Sequence, residues 1–182
     1  YALPENNFRD GLTALNGLIY ISHWSATEKD IVAFDPVTER IVKTLDINGL
    51  NTGVNFSGGL GSLTNPDVLL VTGALDDLVY AIDPETGLLI DSFMQTQGGG
   101  DLGVGGWNDE IYVSRNTSNQ INVYNRSGVV QRTLTVPGSI GMQSLGGGIL
   151  APAIAVRPAF GLTTSEAGQT AAFSLSLETH PT

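Results

Sequence analysis

The chain reads as an all-β protein made of β-propeller blades: about three four-stranded repeats and a partial fourth, followed by a C-terminal β-sandwich-like stub. Three observations predict this. A phrase of alternating strand, Asx-led turn and second strand runs Ile31-Val32-Ala33-Phe34-Asp35-Pro36-Val37-Thr38. It returns as Val79-Tyr80-Ala81-Ile82-Asp83-Pro84-Glu85-Thr86-Gly87 and, more loosely, as Ile121-Asn122-Val123-Tyr124-Asn125-Arg126-Ser127-Gly128. Asp83 follows Asp35 by 48 positions and Asn125 follows Asp83 by 42, inside the roughly 40 to 50 residues of one blade. The 23 glycines, set among few charges and with no long apolar run at helical spacing, favour short strands and tight turns over helix.

Alternation of apolar and polar positions, the mark of a half-buried strand, divides each repeat into four strands. In the first they are Gly11 to Leu15, Leu18 to Ser22, Asp30 to Asp35 and Arg40 to Asp46. Asn16-Gly17 is a strong signal for a two-residue hairpin, whose central positions both take positive φ. The second repeat gives Leu60 to Leu63, Val68 to Thr72, Leu78 to Asp83 and Leu88 to Phe93; the third gives Leu102 to Gly105, Glu110 to Ser114, Gln120 to Asn125 and Val129 to Leu134. The blades therefore span about 8–50, 57–97 and 100–136, with a partial one over 140–152. There Leu145-Gly146-Gly147-Gly148-Ile149-Leu150-Ala151-Pro152 imitates an inner strand and the start of the next.

The turn chemistry explains the repeated phrase. Asp35 and Asp83 are placed to accept hydrogen bonds from amides two residues on, Pro36 and Pro84 fix φ at the next position, and Gly87 supplies positive φ at the exit, with Asn125 as the turn residue of the third repeat. These are expected to be structural turns, because the motif recurs once per repeat and catalysis needs only one. The glycines of Gly58-Gly59-Leu60-Gly61, of Gly98-Gly99-Gly100 with Gly103, Gly105 and Gly106, and of Gly146-Gly147-Gly148 fit inner strands, where converging blades crowd the backbone. None leads into a helix or a Gly-Lys-Ser/Thr, so they do not form a phosphate cradle.

Eighteen acidic residues against eight basic ones give a net charge of −10, which disfavours nucleic acid and anionic membrane as partners. Without cysteine there is no disulfide, thiolate metal site or cysteine nucleophile. No window approaches the ~18 uninterrupted apolar residues of a membrane helix, so membrane insertion is not expected.

The phrase from Val79 to Phe93 resembles the repeats of bacterial YVTN, NHL and quinoprotein-type propellers, a resemblance covering about residues 8–140. Quinoprotein dehydrogenases are its enzymatic branch, and that resemblance implies a docking Trp after the Thr-Gly turn. Lys43, Asp91 and Arg132 stand there instead, which counts against the enzyme. From Ala155 the texture changes. Thr164-Ser165-Glu166-Ala167-Gly168, the alternating Thr170 to Leu177 and Glu178-Thr179-His180-Pro181-Thr182 are similar to the opening of a Calx-β or cadherin-like module of bacterial surface proteins. The expected division is 1–152, propeller, and 153–182, a truncated sandwich segment. Two incomplete modules, and a Tyr at position 1, imply a piece of a longer polypeptide. An unfinished sandwich exposes a strand edge, so residues 169–177 are expected to pair with another chain, with a second copy or with the propeller.

Candidate chemistry is sparse. His23 and Trp24 follow the second strand, and Trp24 and Trp107 are the aromatic candidates for stacking on a sugar; for Trp107, which precedes a strand, inter-blade packing is the favoured assignment. His23 and His180 are the only histidines and fall in different modules, against a His-rich metal site. Asp76, Asp77, Asp101 and Asp109 offer hard oxygen donors suited to Ca²⁺, although none spells a calcium-loop motif. No cofactor is implied otherwise, and no Gly-x-Ser-x-Gly elbow occurs. The expected function is a non-catalytic binding or scaffolding segment of a secreted or cell-surface bacterial protein, presenting loops to a glycan or protein. The alternatives are a propeller enzyme, of quinone-dependent dehydrogenase or lactonase/lyase type, and a subunit that self-assembles through its open ring or tail.

Overall fold

A computed structural model of the chain describes residues 8–24, 29–50, 59–73, 77–94, 102–115 and 118–137. The expected partial blade at 140–152 and the tail at 153–182, with residues 169–177, lie outside the described residues. Among the described residues there are twelve strands: β1 (Phe8–Leu15), β2 (Leu18–Trp24), β3 (Lys29–Asp35), β4 (Arg40–Asp46), β5 (Leu60–Leu63), β6 (Val68–Thr72), β7 (Leu78–Ile82), β8 (Leu89–Met94), β9 (Leu102–Trp107), β10 (Glu110–Arg115), β11 (Gln120–Asn125) and β12 (Val130–Thr135). They form three four-stranded antiparallel meanders, β1 to β4, β5 to β8 and β9 to β12, each in chain order. The all-β blade architecture expected from the repeat is what the described residues adopt.

Local chemistry sets the connections. Asn16 and Gly17 have φ of 52° and 79°, and Asn108 and Asp109, at the equivalent hairpin of the third blade, have 50° and 65°. These values belong to the two-residue turn whose twist matches the flanking strands. At the next hairpin but one, Asp35 Oδ1 accepts from the Val37 amide at 2.8 Å, Asp83 Oδ1 from the Glu85 amide at 2.7 Å and Asn125 Oδ1 from the Ser127 amide at 3.0 Å. The Thr38 hydroxyl also donates to Asp35 and holds its carboxyl below the usual range. One residue is skipped at the same rung of every blade. Ala33 pairs with Lys43 and Phe34 with Ile41, Ala81 with Asp91 and Ile82 with Leu89, Val123 with Arg132 and Tyr124 with Val130. Val42, Ile90 and Gln131 are thus bulged in the outermost strands. β1 begins at Phe8, three residues before the alternation becomes visible, because an irregularity between Phe8 and Leu12 carries the pairing past the break in pattern.

The blades stack face to face. Leu15, Tyr20, Ile31, Ala33 and Leu45 of the first blade pack with Leu60, Leu69, Val71, Tyr80 and Ile82 of the second. The opposite face of the second, with Leu63, Val68, Leu70 and Val79, packs with Val104, Ile111, Val113 and Tyr124 of the third. The two inner strands of the middle blade thus bury both faces, with all four residues of β5 and all five of β6 buried, whereas β8 is exposed from Leu89 to Ser92. The inner strands approach most closely: a Cβ on Gly59 would lie 2.4 Å from the Val104 amide nitrogen, and one on Gly106 would lie 2.1 Å from the Ser62 carbonyl oxygen. Between them the Ser62 hydroxyl meets Thr13 Oγ1 at 3.0 Å and donates to the Ala14 carbonyl at 2.9 Å. In the second and third blades the exit of the Asx turn tucks beneath the preceding outer strand: Gly87 (φ 76°) lies against Leu45, and Gly128 (φ 74°) against Phe93. In the first blade the corresponding position is Glu39, which keeps the same left-handed conformation (φ 54°) without glycine.

Candidate functional site

The inner strands can be superposed residue by residue through their pairing with β2, β6 and β10: Leu15 opposes Leu18, Leu63 opposes Val68, and Trp107 opposes Glu110. Leu15, Leu63 and Trp107 therefore occupy one position in three blades. The two leucines are 1% exposed and Trp107 is 63% exposed. Trp107 stands at the rim of a cavity of about 240 Å³ shared with Leu63, Thr64, Asn65, Asn108 and Asp109, at the seam between the second and third blades. Asn65, Asn108 and Asp109 all have positive φ, a conformation that short polar side chains tolerate better than other non-glycine residues.

Arg126 closes this end of the seam. Its Nε donates to Asp109 Oδ1 at 3.0 Å, and its two terminal nitrogens reach the carbonyls of Pro66, at 3.2 Å, and of Thr64. A single guanidinium thus ties the Asx turn of the third blade to the hairpin of the second. The arrangement combines an exposed indole, two amides and a carboxylate–guanidinium pair around a shallow opening, groups whose chemistry is stacking and hydrogen bonding. Arg126 was not among the residues singled out from the sequence. A signal was present, since Arg126 replaces the proline found at Pro36 and Pro84, but its partners lie some 60 residues away.

A second polar cluster lies on the third blade. Arg132 forms a forked pair with Glu110, with Nη2 to Oε2 at 2.7 Å and Nη1 to Oε1, and the Tyr112 hydroxyl donates to Glu110 Oε2 at 2.7 Å. Hydrogen bonds from Arg132, then from Tyr112, pull the Glu110 carboxyl down to about 2. A depressed carboxylate stabilises the fold above its unfolded value and loses that contribution as pH falls through the folded one. The melting temperature of Glu110→Gln should therefore fall below that of the unaltered chain near neutral pH, and the gap should close as pH falls from the ordinary glutamate value of 4.5 to about 2. A gap that is constant over this range would show that the pair does not couple to folding. The equivalent Lys43 instead reaches forward, to Glu85 Oε2 at 2.6 Å and the Pro84 carbonyl at 3.2 Å in the next blade.

The remaining sequence candidates are dispersed. His23 and Trp24 end β2, opposite Asp30 and Lys29 in the β-ladder; their side chains are outside the described residues, as are Asp76 and Asp101. Asp77 sits before β7 with φ of 57°, in a different blade from Asp109, which is engaged by Arg126. Among the described residues, no three His, Asp or Glu side chains are grouped to hold a metal ion. Among the described residues there is no helix long and apolar enough to cross a membrane.

No protein-family model and no curated protein matches the chain. Solved structures do. A catalytically inactive virginiamycin B lyase from Staphylococcus aureus, determined with quinupristin, is similar with a TM-score of 0.57 and 18% identity over 82% of this chain and 49% of that one. BamB from Moraxella catarrhalis gives 0.51 and 16% over 76% and 38%, and a nidogen/laminin complex gives 0.53 and 14% over 75% and 50%. The chain spans half or less of each of these proteins. At such identities the likeness is one of architecture, and together with the three stacked meanders it identifies the fold as β-propeller blades.

Proposed function

We propose that this chain is a non-catalytic binding segment of a secreted or cell-surface bacterial protein, with the Trp107 rim as a glycan-contacting surface. The observation that carries the reading is the contrast at one repeat position: two leucines buried between blades and a tryptophan turned out beside a polar cavity. Departure from a repeat's own packing rule is expected where function has displaced stability. The rim offers an apolar ring face for a sugar, flanked by Asn65, Asn108 and Asp109 as hydrogen-bonding groups. The similarity of the tail to surface-protein modules supports an extracellular location. A protein partner is the second reading, favoured by the nidogen/laminin complex among the similar structures.

A glycan array probed with the full chain tests this. A hit is expected, weakened about tenfold or more by Trp107→Ala, as for loss of an aromatic anchor of ~2 kcal/mol. A blank array, or a hit indifferent to Trp107→Ala, overturns the glycan assignment. Loss of a hit on Trp24→Ala alone moves the site to the first blade.

A further inference from the structure

We propose that the outermost strands form a docking surface for a protein partner that presents an amphipathic helix with basic flanks. Among the described residues ten large apolar side chains are exposed. Eight of them, all but Leu12 and Trp107, lie on β4, β8 and β12 or in the turns that lead into them. The register aligns most of these. Phe34, Ile82 and Tyr124 oppose Ile41, Leu89 and Val130, so Arg40-Ile41-Val42, Leu88-Leu89-Ile90 and Val129-Val130-Gln131 are one stretch in three blades. Seven of those nine residues are apolar. Leu88, Leu89 and Ile90 are 68%, 45% and 55% exposed. Alternation along a strand turns every second residue inward, and three consecutive apolar residues left in water break that rule unless something covers them. Contiguous exposed apolar surface of this kind marks interaction sites. The stretches also follow one another along the margin. Gly87, just before Leu88, lies against Leu45, and Gly128, just before Val129, lies against Phe93. Lys43, next to Val42, reaches forward to the Pro84 carbonyl and Glu85.

Charge and backbone shape specify the occupant. Among the described residues Lys43, Arg126 and Arg132 are already paired, with Glu85, Asp109 and Glu110. That leaves Asp35, Glu39, Asp83 and Asp91 along the row against Arg40, in a chain whose net charge is −10. A partner with Lys or Arg beside its apolar residues complements this margin. A second copy would set the same carboxylates against one another, and an anionic membrane would be repelled. The skipped residues at Val42, Ile90 and Gln131 interrupt the outer ladder, so an added strand finds no continuous set of rungs. A helix arrives with its backbone hydrogen bonds made and needs only side-chain contact. Trp107 belongs to an innermost strand, so this surface is separate from the proposed glycan-contacting rim.

The test uses the full chain and a fluorescent helical peptide of about 18 residues, built from Leu and Lys with one apolar face, beside its Leu and Glu counterpart. Anisotropy should show saturable binding of the Lys peptide and none of the Glu peptide. Leu88→Ser combined with Ile90→Ser leaves the net charge unchanged and should weaken binding at least about tenfold. Leu12→Ser, at an exposed apolar residue away from the row, should not. No binding of the Lys peptide, or equal binding of the Glu peptide, overturns the proposal. So does binding indifferent to the double variant, because bulk charge alone would then hold the peptide. The replaced side chains are exposed, and an unchanged urea midpoint verifies that the double variant is folded. Sedimentation equilibrium should give the same association state for the unaltered chain and the double variant. A dimer that the double variant dissolves would assign the row to a second copy and overturn the proposal.

Discussion

Gly106→Ala should destabilise the chain by about 3 kcal/mol, the upper end of the cost of inserting a methyl group into a packed interior. The added Cβ would sit 2.1 Å from the Ser62 carbonyl oxygen and 2.7 Å from Leu63 Cδ2. A leucine tip can rotate away, but the carbonyl belongs to β5, which is paired with β6 and enclosed on both sides. Relief therefore requires the second and third blades to part along their inner strands. That would also strain the Arg126 links to Thr64 and Pro66. Urea denaturation with an unchanged slope and a lower midpoint is the expected result. A midpoint within error of the parent would mean that the inner strands are not in the contact described.

Gly128→Ala combines two costs. Its φ of 74° penalises any side chain, and the new Cβ would lie 2.4 Å from both Cβ and Cγ of Phe93. Left-handed strain of about 1 to 2 kcal/mol and overpacking of about 1 to 3 kcal/mol give an expected loss of about 2 to 5 kcal/mol. Gly17→Ala separates the two contributions. Gly17 has nearly the same φ, 79°, but nothing within 4 Å of the added atom, so it should lose only the strain. Equal losses at the two positions would show that Phe93 yields freely and that the turn is not wedged beneath the preceding blade. Phe93 also lies 5.1 Å from the Tyr124 ring, centroid to centroid, so its displacement should disturb the near-ultraviolet signal of that tyrosine.

The architecture was legible because it is written at short range and then repeated. Alternation, Asn16-Gly17 and the Asx turns each specify a few residues, and their return at 48 and 42 positions specifies the blade. Equivalence of Lys43, Asp91 and Arg132 could likewise be read from the turn, and all three oppose the equivalent residue of the third strand. The candidate site was less legible. Trp107 could be singled out, but its outward setting depends on which faces are covered. Arg126, Thr64 and Pro66 meet only when two blades stack, and nothing local at Pro66 anticipates a guanidinium from 60 residues on. The forked pair of Glu110 and Arg132 spans two strands of one blade, with a bulge at Gln131 intervening. A bulge of that kind follows from sheet geometry rather than from residue type, so alternation alone did not reveal it.

The skipped residue at Val42, Ile90 and Gln131 bears on the outward-facing margins of β4, β8 and β12. An outermost strand with free amides and carbonyls is a template on which a foreign strand can add, and a kink at a fixed rung spoils the match. Three margins bent in the same place deny an incoming segment a straight run of rungs. The protein thereby carries a built-in guard against fibrous growth at each spoke of the array.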